Sequence, residues 1–543
     1  MNYQHIFIGG EWHQPSSDKR IAVECPASRQ IIGSCPEAVE QDVNAAITAA
    51  KAALSDGDWS VTSSIDRAQY IDALSEAIKA RAKDLALCAV QEIAAPYSFS
   101  KGQVAMARMT LKFYGQLVRN FEFEEKRQGF FGEVMVRKEP VGVVAAIVPF
   151  NGPLFAAMLK IGPALASGST VVLKVPIETP LFSYLFAECV QEAGIPAGVI
   201  NIVAADREAS EYLVGHPDVN MATITGSVVA GRRVAEVCGS QVKRVALELG
   251  GKSAAIVCED ADLAKVVPGL AAASVINSGQ ACAAQTRILI PESRYEEYLA
   301  ALAGAYRGMK LGDPAEPDTQ LGPMIHERHF NRVKECIAMG VSEGARIVTG
   351  GGTPSHLEPG YFIEPTLLAD AYQAMKLGDP AEPDTQLGPM IHERHFNRVK
   401  ECIAMGVSEG ARIVTGGGTP SHLEPGYFIE PTLLADVNNN MRVAREEIFG
   451  PVVCAIPYKD EEDAIRIAND SDLGLSGSVW TADIEKGLEI GRAIQVGNFS
   501  INCFSMDIAA PFGGYKSSGL GRELGEEGLQ DYLEFKSINL PPA

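Results

Sequence analysis

The sequence predicts an α/β protein built on doubly wound parallel sheets, and three observations carry that expectation. From Val141 onward, strand-length runs such as VGVVAAIV, STVVLK and VINIVAA are apolar throughout rather than alternating, the pattern of strands buried on both faces. Helix-length segments separate them in turn, as parallel neighbours require for their crossovers. At 543 residues and 46% hydrophobic content, the chain is too long for one core and has material for two or three.

Taken in order, the first segment with a clear reading is NFEFEEKRQGFFGEVMVRKEP, residues 120–140, whose polar and apolar alternation reads as an exposed hairpin suited to pairing with another subunit. Next come strand VGVVAAIV (141–148), helix LFAAMLKIGPALA (154–166), strand STVVLK (169–174) and helix LFSYLFAECVQEAG (181–194). Strands VINIVAA (199–205) and MATIT (221–225), helix AGRRVAEVCG (230–239) and strand RVALEL (244–249) complete the series. This is a nucleotide-binding type of layout, yet no strand-to-helix turn carries GxGxxG. ITGSVVAG offers Gly226 and Gly231 around Ser227 instead, at the entry to a helix whose first amides can hold a phosphate. A tight turn with a helix cap explains the same residues equally well. After Lys252 a second set of strands and helices begins, followed by the glycine-rich, then helical, PFGGYKSSGLGRELGEEGL (511–529) and an edge strand in EFKSINLPP.

Forty-seven basic against 68 acidic residues give a net charge of −21, which repels phosphate backbones and anionic lipid, so nucleic acid is not expected as a partner. No apolar run reaches the roughly 20 residues of a membrane helix, and MNYQHIFIGGEW lacks the charged start of a signal peptide, so a cytoplasmic protein is expected. Eleven cysteines without a CxxC read as reduced thiols, most of them packing residues.

Residues 309–370 recur word for word at 375–436, an offset of 66. Two identical copies are not a stacking architecture; they read as a recent tandem duplication or an assembly error, with blocks 305–370 and 371–436. Flanks AYRG and AYQA place the junction near Ala305. One copy alone can fill a given place in the fold, and its twin must loop out at a closure cost of about 4 kcal/mol. Within the copy, IHERH sets His326 and His329 three apart, with His392 and His395 as twins; a single residue, Arg328, separates Glu327 from His329 where a zincin needs two, and no metal is expected.

The chemistry-bearing strings are LELGGKS (247–253) and NSGQAC (277–282), which supply a carboxylate, Glu248, and a thiol, Cys282, 34 residues apart. A nucleophile and a water-activating base are what thiol-based acyl chemistry needs. Alone, such a cysteine is usually a small buried hydrophobe and such a glutamate a solvated or paired carboxylate. Likewise Asn151 in PFNGPL can be a helix cap, Lys174 in VVLKVP a strand-end lysine, and Glu447 in EEIFGPV part of an acidic helix start.

Together, PFNGPL, LELGGKS, NSGQAC, EEIFGPV and PFGGYKSSGLGRE occur in one order, and from FIGGEW to EFKSI the chain resembles the hydrolytic, NAD(P)-dependent members of the aldehyde dehydrogenase superfamily, interrupted by one spare copy. The resemblance implies an aldehyde-dehydrogenase-like α/β fold with three parts. A Rossmann-type cofactor domain spans 1–119 and 141–250, an α/β catalytic domain spans 251–525, and a small β oligomerisation element comprises 120–140 and 526–543. It further implies Cys282 as nucleophile, Glu248 as base and Asn151 as oxyanion donor. Lys174 and Glu447 would hold the cofactor ribose hydroxyls, Phe449 would pack near the nicotinamide, and Gly226, Ser227 and Gly231 would form the turn near the diphosphate. The cofactor is NAD or NADP, because Ile177 stands where many NAD-preferring members carry an acid, with Glu178 one step later; Val228 also replaces a common hydroxyl. Gly152, Ala156, Leu159, Ala281, Ala283, Phe504 and Phe512 fall at channel positions and suggest a roomy pocket for an apolar aldehyde. Homodimers or homotetramers are implied as well. A CoA-acylating semialdehyde dehydrogenase is an alternative that Glu248 argues against, and a member disabled by its duplication is another.

Overall fold

A computed structural model describes residues 1–55, 57–342, 345–357, 359–369, 413–415, 433–434, 439–450 and 452–541. The first sheet has eight strands in the order Glu11–His13, Ile6–Ile8, Ile200–Ala204, Thr170–Val175, Val143–Ile147, Met221–Thr225, Arg244–Glu248 and Gly519–Leu520. Its central five are parallel. Numbered along the chain they lie 3-2-1-4-5, so the winding reverses between Val143–Ile147 and Met221–Thr225. At that reversal the connections leave toward opposite faces, and a crevice opens at the carboxyl ends of the strands. Every residue of Val143–Ile147 and Ile200–Ala204 is buried, as their unbroken apolar runs require.

Helices cover both faces, with ends set by local chemistry. Helix Pro153–Ser167 starts with proline at its first position, where a missing N–H costs nothing, and stops at Gly168 in the left-handed region (φ 94°). Asp206 and Ser227 cap the helices Arg207–Gly215 and Val228–Ser240 through bonds from the amides of Ala209 and Ala230.

The chain then crosses to a second sheet. Glu248 ends a strand of the first, Leu249–Ser253 is the connection, and Ala254–Val257 opens the second. That sheet runs Arg346–Thr349, Thr366–Ala369, Val452–Tyr458, Arg287–Pro291, Ala254–Val257, Ser476–Trp480, Asn498–Ile501, parallel except for its first pair. A third sheet joins Glu124–Gln128, Glu133–Pro140 and the C-terminal Leu533–Asn539 in antiparallel register. The hairpin and the edge strand expected from sequence are therefore partners, and Phe130 and Phe131 at the hairpin tip stand fully in solvent. Gly525–Gln530, between that strand and the glycine-rich string, is a helix packed on Pro153–Ser167.

The first copy of the duplicated block fills the fold. Its strands Arg346–Thr349 and Thr366–Ala369 pair with each other and extend the second sheet. Of the second copy, Ile413–Thr415 and Leu433–Leu434 form a separate pair. Its partners, Ile413 with Leu434 and Thr415 with Leu433, are those of the first copy (Ile347 with Leu368, Thr349 with Leu367) moved by 66 residues. The hairpin is thus written in the local sequence and forms twice. His392 and His395 lie outside the described residues. The junction inferred near Ala305 is no structural boundary, because helix Tyr295–Arg307 runs through it.

Candidate active site

The crossing LELGGKS lies between the two sheets, and its glycines admit neighbours that a side chain would expel. A Cβ on Gly251 would stand 2.3 Å from the Cys282 carbonyl oxygen, and one on Gly250 would stand 2.1 Å from Oε2 of Glu447. The Gly251 amide donates to Oε1 of Glu447 at 3.0 Å. These contacts bring the crossing, the NSGQAC loop and EEIFGPV to one place.

Cys282 is half-buried and packs against an apolar cluster with Phe155, Leu159, Ile508, Phe512, Met106 and Phe113. Leu159 and Phe512 were expected there; the other four were not. Burial, reinforced by the carboxylates of Glu447 and Glu248, pushes its thiol up to about 12. Glu248 ends its strand beside Thr225, 4% exposed, with no hydrogen-bond partner for either oxygen among the described residues. Burial raises its carboxyl well above the usual range, Glu523 adds to that, and Lys160 and Arg522 oppose it. Glu447 is pushed up to about 7 by burial, against the Gly251 amide and Lys252.

Asn151 does not cap the helix that follows: Gly152 holds the cap position without a side-chain bond, and the Asn151 amide donates to the Gln280 carbonyl oxygen at 2.8 Å. One N–H of that amide is thereby fixed two residues from Cys282, and the other stays available to an oxygen in the pocket.

Four of the expected cofactor residues sit along the carboxyl edge of the first sheet. Lys174 ends the strand Thr170–Val175, where burial lowers its amine and Glu178 and Asp206 raise it. Gly226 forms the turn out of Met221–Thr225, its amide donating to the Glu248 carbonyl at 2.9 Å. Ser227 caps the next helix, so its hydroxyl is already engaged at 3.2 Å by the Ala230 amide. Gly231 lies a turn inside that helix against Leu249, a close contact between the helix and the start of the crossing. Phe449 is backbone-strained at φ 58°, its ring edge-on to Phe150 at 5.8 Å and its carbonyl held by Nε2 of His329. Burial pushes His329 down to about 4, so the neutral ring donates that proton. The duplicated block therefore reaches the site, which reading its motifs alone did not show.

Sequence reasoning also missed a buried ion pair, Lys160 with Glu523 at 2.6 Å, with Lys160 donating further to Thr225 Oγ1 at 2.8 Å. The signal was present: a lysine inside the otherwise apolar LFAAMLKIGPALA must find a partner. Lys252, also buried, has no hydrogen-bond partner for Nζ among the described residues. No group of three metal-ligating side chains occurs among the described residues.

The sequence model of the aldehyde dehydrogenase family matches residues 12–377 and 368–538, two stretches that overlap within the duplicated region. Geranial dehydrogenase of Castellaniella defragrans is 37% identical over 542 residues, 99% of each chain. The Mycobacterium tuberculosis aldehyde dehydrogenase solved with NAD+ superposes with a TM-score of 0.86 at 38% identity, covering 100% of this chain and 99% of that one. A Cys-to-Ala mutant of aldehyde dehydrogenase C from Pseudomonas syringae, solved with NAD+ and octanal, gives 0.84 at 34% identity, covering 99% and 96%. By its match to the family model, and to relatives along their whole length, this chain belongs to the aldehyde dehydrogenase family.

Proposed function

We propose that Cys282, Glu248 and Asn151 carry out the family's oxidation of an aldehyde to a carboxylic acid at the crossing between the two sheets. The observation that carries this reading is the bond from the Asn151 amide to the Gln280 carbonyl, which sets a neutral donor beside a half-buried cysteine. The Cys282 thiolate adds to the carbonyl carbon, and the electron pair moves to oxygen, where the Asn151 amide and the Cys282 backbone N–H stabilise it. A bound nicotinamide dinucleotide, NAD or NADP, supplies the hydride acceptor. Once hydride has left the carbon, a thioester on Cys282 remains. Glu248 takes a proton from water, the water oxygen bonds to the acyl carbon, the C–S bond breaks and the acid departs.

The residues present are compatible with a dinucleotide. Lys174 and Glu447 would offer an ammonium and a carboxylate to ribose hydroxyls, the Gly226 turn and the helix opened by Ser227 would face a diphosphate, with Gly231 one turn inside it, and Phe449 would pack near the nicotinamide. The pocket chemistry favours an apolar aldehyde, in keeping with the geranial and octanal named for two relatives. Residues 1–119 with 141–250 would form the cofactor domain, 251–525 the catalytic domain, and 120–140 with 526–543 the contact surface of a homodimer or homotetramer. A cytoplasmic location is part of the same reading; no described helix is long and apolar enough to cross a membrane.

Protein mixed with octanal and either dinucleotide should raise absorbance at the reduced-nicotinamide band. Cys282→Ala should abolish the signal, and Glu248→Gln should stop after one turnover with acyl-enzyme detectable by mass. Silence of the native protein with both dinucleotides and a range of aldehydes would end the reading.

A further inference from the structure

The loop that delivers Cys282 is strained. Asn277 (φ 51°, ψ 44°) and Ser278 (φ 56°, ψ 34°) both lie in the left-handed region, followed by Gly279 at φ 74°. For non-glycine residues this conformation is strained and persists only where surroundings over-determine it. The surroundings here are residues 322–325, at the start of the duplicated block. Ser278 Oγ donates to the Gly322 carbonyl at 2.7 Å. The Gln280 side chain, 1% exposed, is held at both ends: its Oε1 accepts from the Ile325 amide at 3.0 Å, and its Nε2 donates to the Pro323 carbonyl at 3.3 Å. The backbone carbonyl of the same residue accepts from Asn151 Nδ2 at 2.8 Å and from Asn277 Nδ2 at 3.3 Å.

We propose that Gln280 is a positioning residue for the oxyanion donors: its side chain, clamped between the Ile325 amide and the Pro323 carbonyl, fixes the peptide plane whose carbonyl aims the Asn151 amide. Rotation about the Gln280 backbone would swing that carbonyl away from Asn151 and tilt the peptides leading to the Cys282 N–H. The side-chain clamp resists such rotation, because an amide buried to 1% exposure would have to give up its hydrogen bonds to Ile325 and Pro323. Gln280 touches neither substrate nor cofactor in this scheme; it acts through Asn151 and the loop. The inference rests on the reading of Asn151 as the oxyanion donor.

Gln280→Met keeps the length and removes all three side-chain bonds, to Ile325, Pro323 and the Asn277 carbonyl. With active sites counted by titration of the Cys282 thiol, kcat per site should fall about 10- to 100-fold, part of the effect of losing a whole donor. Dinucleotide affinity measured by fluorescence titration should stay within twofold. Added to Asn151→Ala, the same change should lower kcat by less than about threefold, since the two act through one contact. A merely structural role would reduce the number of titrated sites and leave kcat per site intact. Unchanged kcat per site, or a loss that multiplies in full with Asn151→Ala, overturns the proposal. If Gln280→Met does not fold, Ser278→Ala takes its place: a smaller loss that vanishes on the Asn151→Ala background supports the clamp, and any other result overturns it. Asn151→Ala with native kcat would sink the underlying reading instead.

Discussion

At the scale of single residues, burial and the carboxylates of Glu447 and Glu248 hold the Cys282 thiol in its protonated form. A thiol near 12 leaves little thiolate at neutral pH. Alkylation of Cys282 by iodoacetamide should therefore be slow at pH 7 and gain about tenfold per pH unit up to pH 10. Glu447→Gln, which removes one of the two facing carboxylates, should speed alkylation at pH 9; an unchanged rate would mean that Glu447 does not act on the sulfur. The Lys160–Glu523 pair is the second residue-scale case. Breaking a buried pair from one side strands a charge, so Lys160→Met should cost about 3–5 kcal/mol in denaturant melts, while Lys160→Met with Glu523→Leu should recover most of it. Sequence could show that Lys160 needed a partner but not which one, since the two residues stand 363 apart in the chain. Cys282, Glu248 and Asn151 were recognisable because each sits in a distinctive string of neighbours, and the structure brings those strings to the crossing between the sheets. His329 and Gln280 were not, because they act through backbone carbonyls that any residue provides.

At the scale of elements, the doubly buried strands were read directly from apolar runs, and the hairpin at 120–140 from its alternation. What sequence did not disclose is how one helix closes another. Glu92, the last residue of helix Ala82–Glu92 and 1% exposed, accepts the amides of Leu181 and Phe182 and so caps helix Leu181–Glu192. Burial pushes its carboxyl up from 4.5 to about 7, with those amides opposing. In the folded state the group stays protonated to higher pH than in the unfolded chain. Its contribution is therefore largest below pH 4.5, declines as pH rises to 7 and is constant above. The wild type should lose about 3 kcal/mol over that window relative to Glu92→Gln, which carries no titrating proton. Melts of both proteins at pH 4.5 and 8 measure the difference; parallel curves would show that folding does not raise the Glu92 carboxyl.

At the scale of the whole molecule, the duplication is the main departure from a simple two-sheet protein. Sequence established that just one copy could be seated, and left open which; in the structure the first copy's strand Thr366–Ala369 pairs with Val452–Tyr458. Deleting 309–374 or 371–436 produces the same 477-residue chain, since the copies are identical. That protein should keep kcat within about twofold and aggregate less on heating, because the apolar residues of an unseated copy are gone. A large loss of activity on deletion would show that the second copy contributes to the site. Identity between the blocks also accounts for one hairpin register appearing twice, IVT against LL in both copies.

The C-terminal strands carry a consequence for synthesis. Gly519–Leu520 completes the first sheet beside the strand that bears Glu248, Glu523 neutralises Lys160, and Leu533–Asn539 closes the sheet begun at Glu124. A nascent chain still on the ribosome holds Cys282 and Asn151 long before these parts emerge. A chain that stops before Gly519 therefore carries Cys282 but lacks the strand beside Glu248 and the partner of Lys160, and it should be inactive in the aldehyde assay.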